Sequence, residues 1–244
     1  MKIFLITLFI FPLFFPSNIK AQKSSEVSLG KGFSIMPSVN YVSSATIQLN
    51  AFSNDLFERS ETEALSGGYG YGLTIRKKFF RQDLSFGFTA EYLKIFDGEL
   101  DQSFGNDSIR VRARVSEELF LIPIEFSGYF NIPDFSEDLR IYLGGGLGVY
   151  FGDRKRTVLN IESQTISKDP GFSFVILSGM EILVSKQISG VFEIRFRQAE
   201  YSVSSQFPVS TININGTIFP LEKNLNSKVY VDGLKLTLGI AYNF

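Results

Sequence analysis

The feature that most constrains this chain is a regular alternation of apolar and polar residues that continues to its C-terminus. Eight segments of about 10–14 residues carry the alternation, and stretches rich in turn-forming residues separate them. A repeat of two residues is the period of a β-strand with one apolar face. In the last segment, for example, the apolar Leu234 and Leu236 flank Lys235. The chain is therefore predicted to be all-β, with residues 30–244 forming one domain of eight strands.

The connections between the predicted strands alternate in length. Short connections follow strands two, four and six, and long polar connections follow strands one, three, five and seven, at residues 43–67, 97–116, 152–171 and 202–228. Short periplasmic turns and long extracellular loops are typical of antiparallel transmembrane β-barrels. Ten strands are the alternative, since residues 103–115 or 209–219 could form a further hairpin, the latter with Asn215-Gly216 as its turn.

Alternation alone does not say which face of the barrel lies inside. A soluble eight-stranded barrel such as a lipocalin would turn the apolar face inward, and a membrane barrel would turn it outward. Eight strands with about five apolar residues each give about 40 side chains, whereas an eight-stranded barrel has an interior barely wide enough for side chains. The apolar face is therefore predicted to contact lipid. The aromatic residues at the strand ends would then form the two girdles found at membrane interfaces.

Residues 1–21 are typical of a secretory signal peptide. Lys2 precedes an apolar run, and Ala21 offers a small residue at a cleavage point. The run has about 13 residues, fewer than the roughly 20 that a membrane-spanning helix needs, so cleavage is predicted rather than an N-terminal anchor. No other stretch is apolar for 18 residues, so a mature chain inside a membrane must cross it with strands. Residues 22–29 are predicted to be a short periplasmic segment.

The C-terminal strand carries a resemblance to a known family. Its apolar residues alternate and end in an aromatic ring, at Leu236, Leu238, Ile240, Tyr242 and Phe244. Together with the leader, the glycine-rich run at residues 144–148 and the Ile122-Pro123-Ile124 pattern, this strand resembles that of the small outer-membrane β-barrel family of the OmpA, OmpX and OmpW type. The resemblance implies a porin-like barrel in the outer membrane of a Gram-negative envelope. It also implies that barrel-insertion machinery reads the last strand during assembly.

Eight charged side chains share the face opposite the apolar one and are predicted to face the lumen. They are Arg76, Glu91, Glu125, Glu181, Glu193, Arg195, Arg197 and Lys235. An unpaired charge in a narrow, low-dielectric lumen is costly, whereas hydrogen-bonded pairs are tolerated. We therefore expect a network of ion pairs that plugs the barrel, with Glu181 beside Glu193 and Arg195. The alternative is that the same charges line a narrow path for ions or small solutes.

The composition argues against several classes of function. The 24 Lys and Arg residues nearly balance 25 Asp and Glu residues, which argues against a nucleic-acid partner. The absence of His and Cys removes the commonest general base, the commonest metal ligand and cysteine nucleophiles. We expect neither enzymatic activity nor a cofactor. Four loop carboxylates lack the spacing of a calcium loop and are expected to be exposed, namely Asp101, Asp107, Asp153 and Asp169.

The resulting hypothesis is a non-enzymatic outer-membrane barrel with a structural or binding role and a charge-plugged lumen. A narrow channel and a barrel subunit of a secretion or assembly machine are the alternatives. The expected partners are outer-membrane lipids and lipopolysaccharide. A solvated extension of the strand is the preferred interpretation of Arg110, Arg112 and Arg114, and contact with lipopolysaccharide phosphates is the alternative. An extracellular or envelope protein partner is possible, but the sequence does not identify one.

Overall fold

The computed structural model describes residues 32–79, 83–105, 109–133 and 138–244. The predicted signal peptide, residues 1–21, and the predicted periplasmic segment, residues 22–29, lie outside the described residues. The elements are β1 (Phe33–Gln48), α1 (Leu56–Ser60), β2 (Thr62–Lys78), β3 (Leu84–Gly105), β4 (Arg110–Asn131), β5 (Leu139–Val158), β6 (Ile161–Glu162), β7 (Gln164–Lys168), β8 (Gly171–Leu183), β9 (Ile188–Gln206), β10 (Thr211–Ile214), β11 (Thr217–Pro220), β12 (Asn224–Val231) and β13 (Leu234–Asn243).

The strands close into an antiparallel barrel with eight strand positions around its wall, which we call wall positions. β1, β2, β3, β4, β5, β8 and β9 follow one another around the ring, and β12 with β13 fills the last position between β9 and β1. Near the chain end, the backbone N–H of Phe244 donates to the carbonyl oxygen of Phe33 at 3.0 Å, and the N–H of Phe33 donates to that of Phe244 at 3.2 Å. The predicted eight-stranded barrel is confirmed, and the ten-stranded alternative is wrong.

The outer surface of the barrel carries a broad apolar band. Phe174 is 76% exposed, Leu238 58% and Phe126 56%. A contiguous apolar surface of this extent is not stable in water, so the band faces lipid and the lipocalin-like alternative fails. Aromatic residues mark both edges of the band. Tyr41 and Tyr69 pair 5.1 Å apart at the long-loop edge, and Phe33 stacks on Phe244 at the short-turn edge.

The strands continue well above the apolar band. β3 and β4 have 22 residues each, about twice the 9–11 that a transmembrane strand needs. On their outer face an ion pair between Lys94 and Glu118 lies near the upper edge of the apolar band. Much of the predicted long connections is therefore β-structure, and the extended strands form an extracellular half of the barrel.

A hairpin covers part of this extracellular half. β10 and β11 pair with each other and not with the ring. Asn215 and Gly216 form their turn with φ angles of 51° and 87°, as a two-residue type I′ turn requires. The hairpin considered for residues 209–219 is thus present, yet it adds no strand to the barrel wall. The short helix α1 buries none of its side chains, and no described helix is long and apolar enough to cross a membrane.

Candidate functional site

The lumen holds a compact group of charges within the membrane-spanning part of the barrel. Seven of the eight predicted side chains form it, and we call them the lumen cluster: Arg76, Glu91, Glu125, Glu193, Arg195, Arg197 and Lys235. Each is at most 9% exposed. They come from β2, β3, β4, β9 and β13, because inward-facing positions on these strands lie at similar heights. The cluster contains four basic side chains, Arg76, Arg195, Arg197 and Lys235, and three acidic ones, Glu91, Glu125 and Glu193.

Glu193 is the best-paired carboxylate of the lumen cluster. Arg76 Nη2 donates to Glu193 Oε2 at 2.8 Å, and the hydroxyl of Tyr142 donates to the same oxygen at 2.9 Å. The Nε of Arg195 donates to the other oxygen. The Arg76 guanidinium also lies 4.2 Å from the centre of the Tyr129 ring, a distance at which the ring face attracts a cation. Charge-assisted hydrogen bonds of this kind satisfy a carboxylate that water does not reach.

The other carboxylates link Arg195 to the remaining cations. Arg195 Nη1 donates to Glu125 Oε2 at 2.5 Å, and the Tyr150 hydroxyl donates to Oε1 of the same carboxylate. Arg197 Nη1 lies 3.8 Å from Glu125 and 3.6 Å from Glu91.

Arg197 is the least satisfied cation of the cluster. None of its guanidinium nitrogens has a hydrogen-bond partner, and its guanidinium lies 5.4 Å from the centre of the Tyr150 ring. Glu91 also contacts the Nζ of Lys235. Ion pairs therefore cross the lumen in a continuous chain from Arg76 to Lys235.

Inward-facing glycines make room for the tyrosine rings of the lumen. A Cβ placed on Gly179 would lie 2.5 Å from the Tyr142 ring, and one on Gly148 would lie 2.9 Å from the Tyr150 ring. Glycine is the residue that permits such a close approach. The glycine-rich run on β5 and its neighbours thus lets large rings fill a narrow barrel.

Glu181 lies apart from the lumen cluster, at the short-turn mouth of the barrel. It lines a small polar cavity with Lys78 and Arg140. Asn243 Nδ2 donates to Glu181 Oε1 at 3.5 Å.

The expected place of Glu181 beside Glu193 and Arg195 is therefore corrected. On β8, Gly179 is the register partner of Glu193, and Glu181 is that of Val191. The turn between β8 and β9 pairs Leu183 with Ser189, and this pairing shifts Glu181 toward the mouth. Such a register depends on turn geometry, which the alternation does not specify.

Above the lumen cluster, apolar side chains fill the barrel from wall to wall. We call this group the apolar layer; its buried residues are Val42, Ala45, Ile47, Leu65, Leu93, Ile95, Leu119, Leu121, Tyr150, Ala199, Tyr201, Val203, Val229 and Val231. None is more than 4% exposed, and they come from all wall positions except β8. The layer lies between the lumen cluster and the extracellular half, so the described lumen is filled by apolar side chains as well as by charges.

A second group of ion pairs lies above the apolar layer, and we call Glu63, Glu117, Arg154 and Arg156 the upper cluster. Arg154 donates two hydrogen bonds to Glu117, from Nη2 to Oε1 at 2.7 Å and from Nε to Oε2 at 3.0 Å. Arg156 Nη1 donates to Glu63 at 2.7 Å and also contacts Glu117. Burial lowers the pKa of Arg156, but the carboxylates of Glu117 and Glu63 raise it by more, so the pKa lies above the usual arginine value.

The extracellular half ends in an apolar core of its own, which we call the cap core. Its buried residues are Phe104, Ala113, Val115, Val158, Phe207, Ile212, Ile214, Phe219, Leu221 and Leu225. The β10–β11 hairpin contributes Ile212, Ile214 and Phe219. The hairpin is thus packed onto the strand extensions, and the described residues of the extracellular half share this buried core.

The loop carboxylates within the described residues do not form a common site. Asp153 accepts from the hydroxyl of Thr165 and lies 3.3 Å from the Nζ of Lys168. Asp101 is the register partner of Arg114 on the neighbouring strand, and Asp107 lies outside the described residues. Among the described residues no group of three acidic side chains could hold a metal ion.

Comparison with known proteins identifies the fold. No family model and no curated protein sequence matches the chain. The solved structure of the outer-membrane protein OprG from Pseudomonas aeruginosa superposes with a TM-score of 0.58, covering 87% of this chain and 96% of OprG at 11% identity. The chain has the fold of a small outer-membrane β-barrel. The expected fold is thereby confirmed, and it supports an outer-membrane location.

Two further barrels align over most of this chain with TM-scores below 0.5. Neisserial surface protein A is 14% identical with a TM-score of 0.44, and the alignment covers 87% of this chain and 97% of that protein. The outer-membrane protease OmpT from Escherichia coli is 9% identical with a TM-score of 0.49, covering 91% and 99%. At these identities the comparisons concern the fold and not the activity.

Proposed function

We propose that this chain is a closed, non-enzymatic outer-membrane barrel that holds a folded binding structure outside the cell. The observation that carries the proposal is the apolar layer, which blocks the lumen between two clusters of ion pairs. A conduit needs a hydrated path with sites that an ion can enter and leave. The apolar layer provides no such sites, and this argues against the channel alternative.

The geometry of the charges also argues against catalysis. The three carboxylates of the lumen cluster are each bound to cations and are at most 5% exposed. A substrate would have to displace ion pairs in a lumen that the apolar layer closes from above. A general acid or base must lie within hydrogen-bond reach of its substrate, and these carboxylates are not accessible in this way.

The proposed binding role belongs to the extracellular half. Its strand extensions, the upper cluster and the cap core hold the surface rigid, which favours recognition because little ordering entropy is lost on binding. The same proposal includes two steps of export. The signal peptide is cleaved after residue 21, and barrel-insertion machinery recognises the last strand. No observation favours a secretion or assembly subunit over this role.

Lipopolysaccharide is the lipid partner that we propose for the outer leaflet. Arg110, Arg112 and Arg114 lie at alternate positions of β4, exposed on its outer face. They lie above Phe120, where the apolar band ends. Arginine side chains in such a row suit phosphate groups, because the guanidinium fork matches phosphate geometry.

Conductance tests the closed state directly. The folded chain is reconstituted in a planar bilayer, with an open porin as positive control for insertion. We expect no unitary steps from the wild-type chain, and also none from Arg195→Ala, because the apolar layer remains in place. Stable unitary steps from wild-type protein shown to be folded would overturn the proposal.

A further inference from the structure

A cavity of about 200 Å³ opens in the extracellular half, between the connection after β1, the end of β3 and the segment after β11. An engineered apolar cavity of about 150 Å³ binds benzene, so this volume has room for one aromatic ring and a short chain. The cavity lies above the apolar layer and is therefore reached from outside the cell.

One side of the cavity is apolar and belongs largely to the cap core, and the rest of the lining is polar, with Asn50, Glu61, Gln102, Ser103, Arg156 and Glu222. The apolar lining residues include Leu49, Phe104, Val158, Phe207, Leu221 and Leu225. All but Leu49 are members of the buried cap core. The segment from Pro220 to Leu225, at the end of the β10–β11 hairpin, forms one wall of the cavity. Apolar walls with a few polar groups are the usual construction of a small-molecule site.

The cation in the cavity lining, Arg156, is already engaged. Its Nη1 binds Glu63 and Glu117, and its Nη2 donates to Gln102 at 2.9 Å. An anionic ligand would therefore have to displace these hydrogen bonds before it could pair with Arg156. The lining also includes two exposed carboxylates, Glu61 and Glu222.

These two carboxylates give the cavity its charge. No ion pair joins Glu61 or Glu222 to a cation in the described part of the chain. Glu222 accepts one hydrogen bond, from Asn50 Nδ2 at 3.3 Å. Because Arg156 is paired with its own carboxylates, the lining presents the negative charges of Glu61 and Glu222 beside one apolar wall.

We propose that this cavity binds a small amphiphilic cation. Its apolar body, about the size of one aromatic ring, packs against Leu49 and the accessible edge of Leu221, and its ammonium group pairs with Glu61 and Glu222. The inference rests on the proposed binding role of the extracellular half and specifies the ligand class. Since the apolar layer closes the barrel below, the ligand is captured at the surface and is not passed through the lumen.

Phenethylamine serves as the probe, titrated calorimetrically against the folded full chain in lipid nanodiscs. Empty nanodiscs correct for partitioning into lipid. Phenylacetate has a similar apolar body with the opposite charge and serves as the matched ligand. We expect phenethylamine to bind and phenylacetate to bind at least about tenfold more weakly, the factor that one charge-assisted hydrogen bond accounts for.

Variants locate the site. Glu61→Gln with Glu222→Gln should weaken phenethylamine binding by about tenfold or more on the same basis. Glu58→Gln removes an exposed carboxylate of the same connection that does not line the cavity, so it should leave binding unchanged. Leu225→Phe should reduce binding by filling the cavity, provided that the variant still shows the heat-dependent gel mobility of a folded barrel.

Several outcomes would overturn the inference. They are equal binding of the two ligands, unchanged affinity in the double glutamine variant, and no measurable binding to a folded chain. A conducting wild-type chain would instead overturn the closed-barrel proposal and leave this site untouched. The two failures are therefore distinguishable.

Discussion

Gly179 leaves the space that the ring of Tyr142 occupies: a Cβ at position 179 would lie 2.5 Å from the ring and its hydroxyl oxygen. Tyr142 in turn donates to Glu193 and accepts from Arg76. A single inward-facing glycine on β8 thus decides whether a tyrosine can take part in the lumen cluster. Small and large side chains are matched across the barrel as they are in other closely packed interiors.

Gly179→Ala should destabilise the barrel. The added methyl group must push the Tyr142 ring away from Glu193, and overpacking of this kind costs about 1–3 kcal/mol. Urea unfolding of the chain in lipid vesicles measures the change in unfolding free energy. Gly190→Ala on β9 is the matched control, because no atom lies within 4 Å of its Cβ position. Equal stability of the two variants would contradict the assigned packing.

Arg195→Ala should destabilise the barrel more strongly. The substitution removes the donors to both Glu193 and Glu125, and a buried pair that loses one partner costs roughly 3–5 kcal/mol. The same urea titration measures the loss. Arg112→Ala, which removes an exposed arginine, should change stability by less than about 0.5 kcal/mol. A fully stable Arg195→Ala chain would show that water satisfies these carboxylates.

The inward position of Glu125 and Arg195 could be predicted from the sequence. Both lie opposite a row of large apolar residues, and in an eight-stranded barrel that row has to face out. Their partners across the lumen could not be assigned, because the pairing depends on strand register. Glu181 illustrates the error. The observed register at the β8–β9 turn differs from the expected one, and it places Glu181 at the mouth of the barrel instead of in the lumen cluster.

The apolar layer could not be deduced from alternation, because alternation does not say which face lies inside and on β4 both faces are apolar at this height. Leu119, Phe120, Leu121 and Ile122 form one continuous run, which is the pattern of a strand buried on both sides. That run is the signal for an apolar lumen at this height. Arg156 and Glu63 lie 93 residues apart in sequence, so their pairing emerges only when the barrel closes.

Substituting the outward arginine row should weaken lipopolysaccharide binding. Arg110→Gln, Arg112→Gln and Arg114→Gln together remove three exposed charges above the apolar band. We expect the purified variant to retain less co-extracted lipopolysaccharide, measured by phosphate analysis of the folded protein. A chain with Lys77→Gln and Lys186→Gln, at the short-turn end, should retain as much as wild type. Equal retention by the arginine variant would remove this surface as the contact site.

Phe244 should control the amount of barrel that reaches the membrane. Its backbone pairs with Phe33, and its ring lies 6.2 Å from the ring of Phe33 and 6.0 Å from that of Tyr242. Phe244→Asp places a charge in this aromatic edge and removes the terminal ring that insertion machinery is proposed to read. Outer-membrane fractions should then contain less of the heat-modifiable folded form. Phe244→Trp keeps an aromatic ring and should restore that form, whereas normal insertion of Phe244→Asp would show that neither the aromatic edge nor the terminal signal depends on this residue.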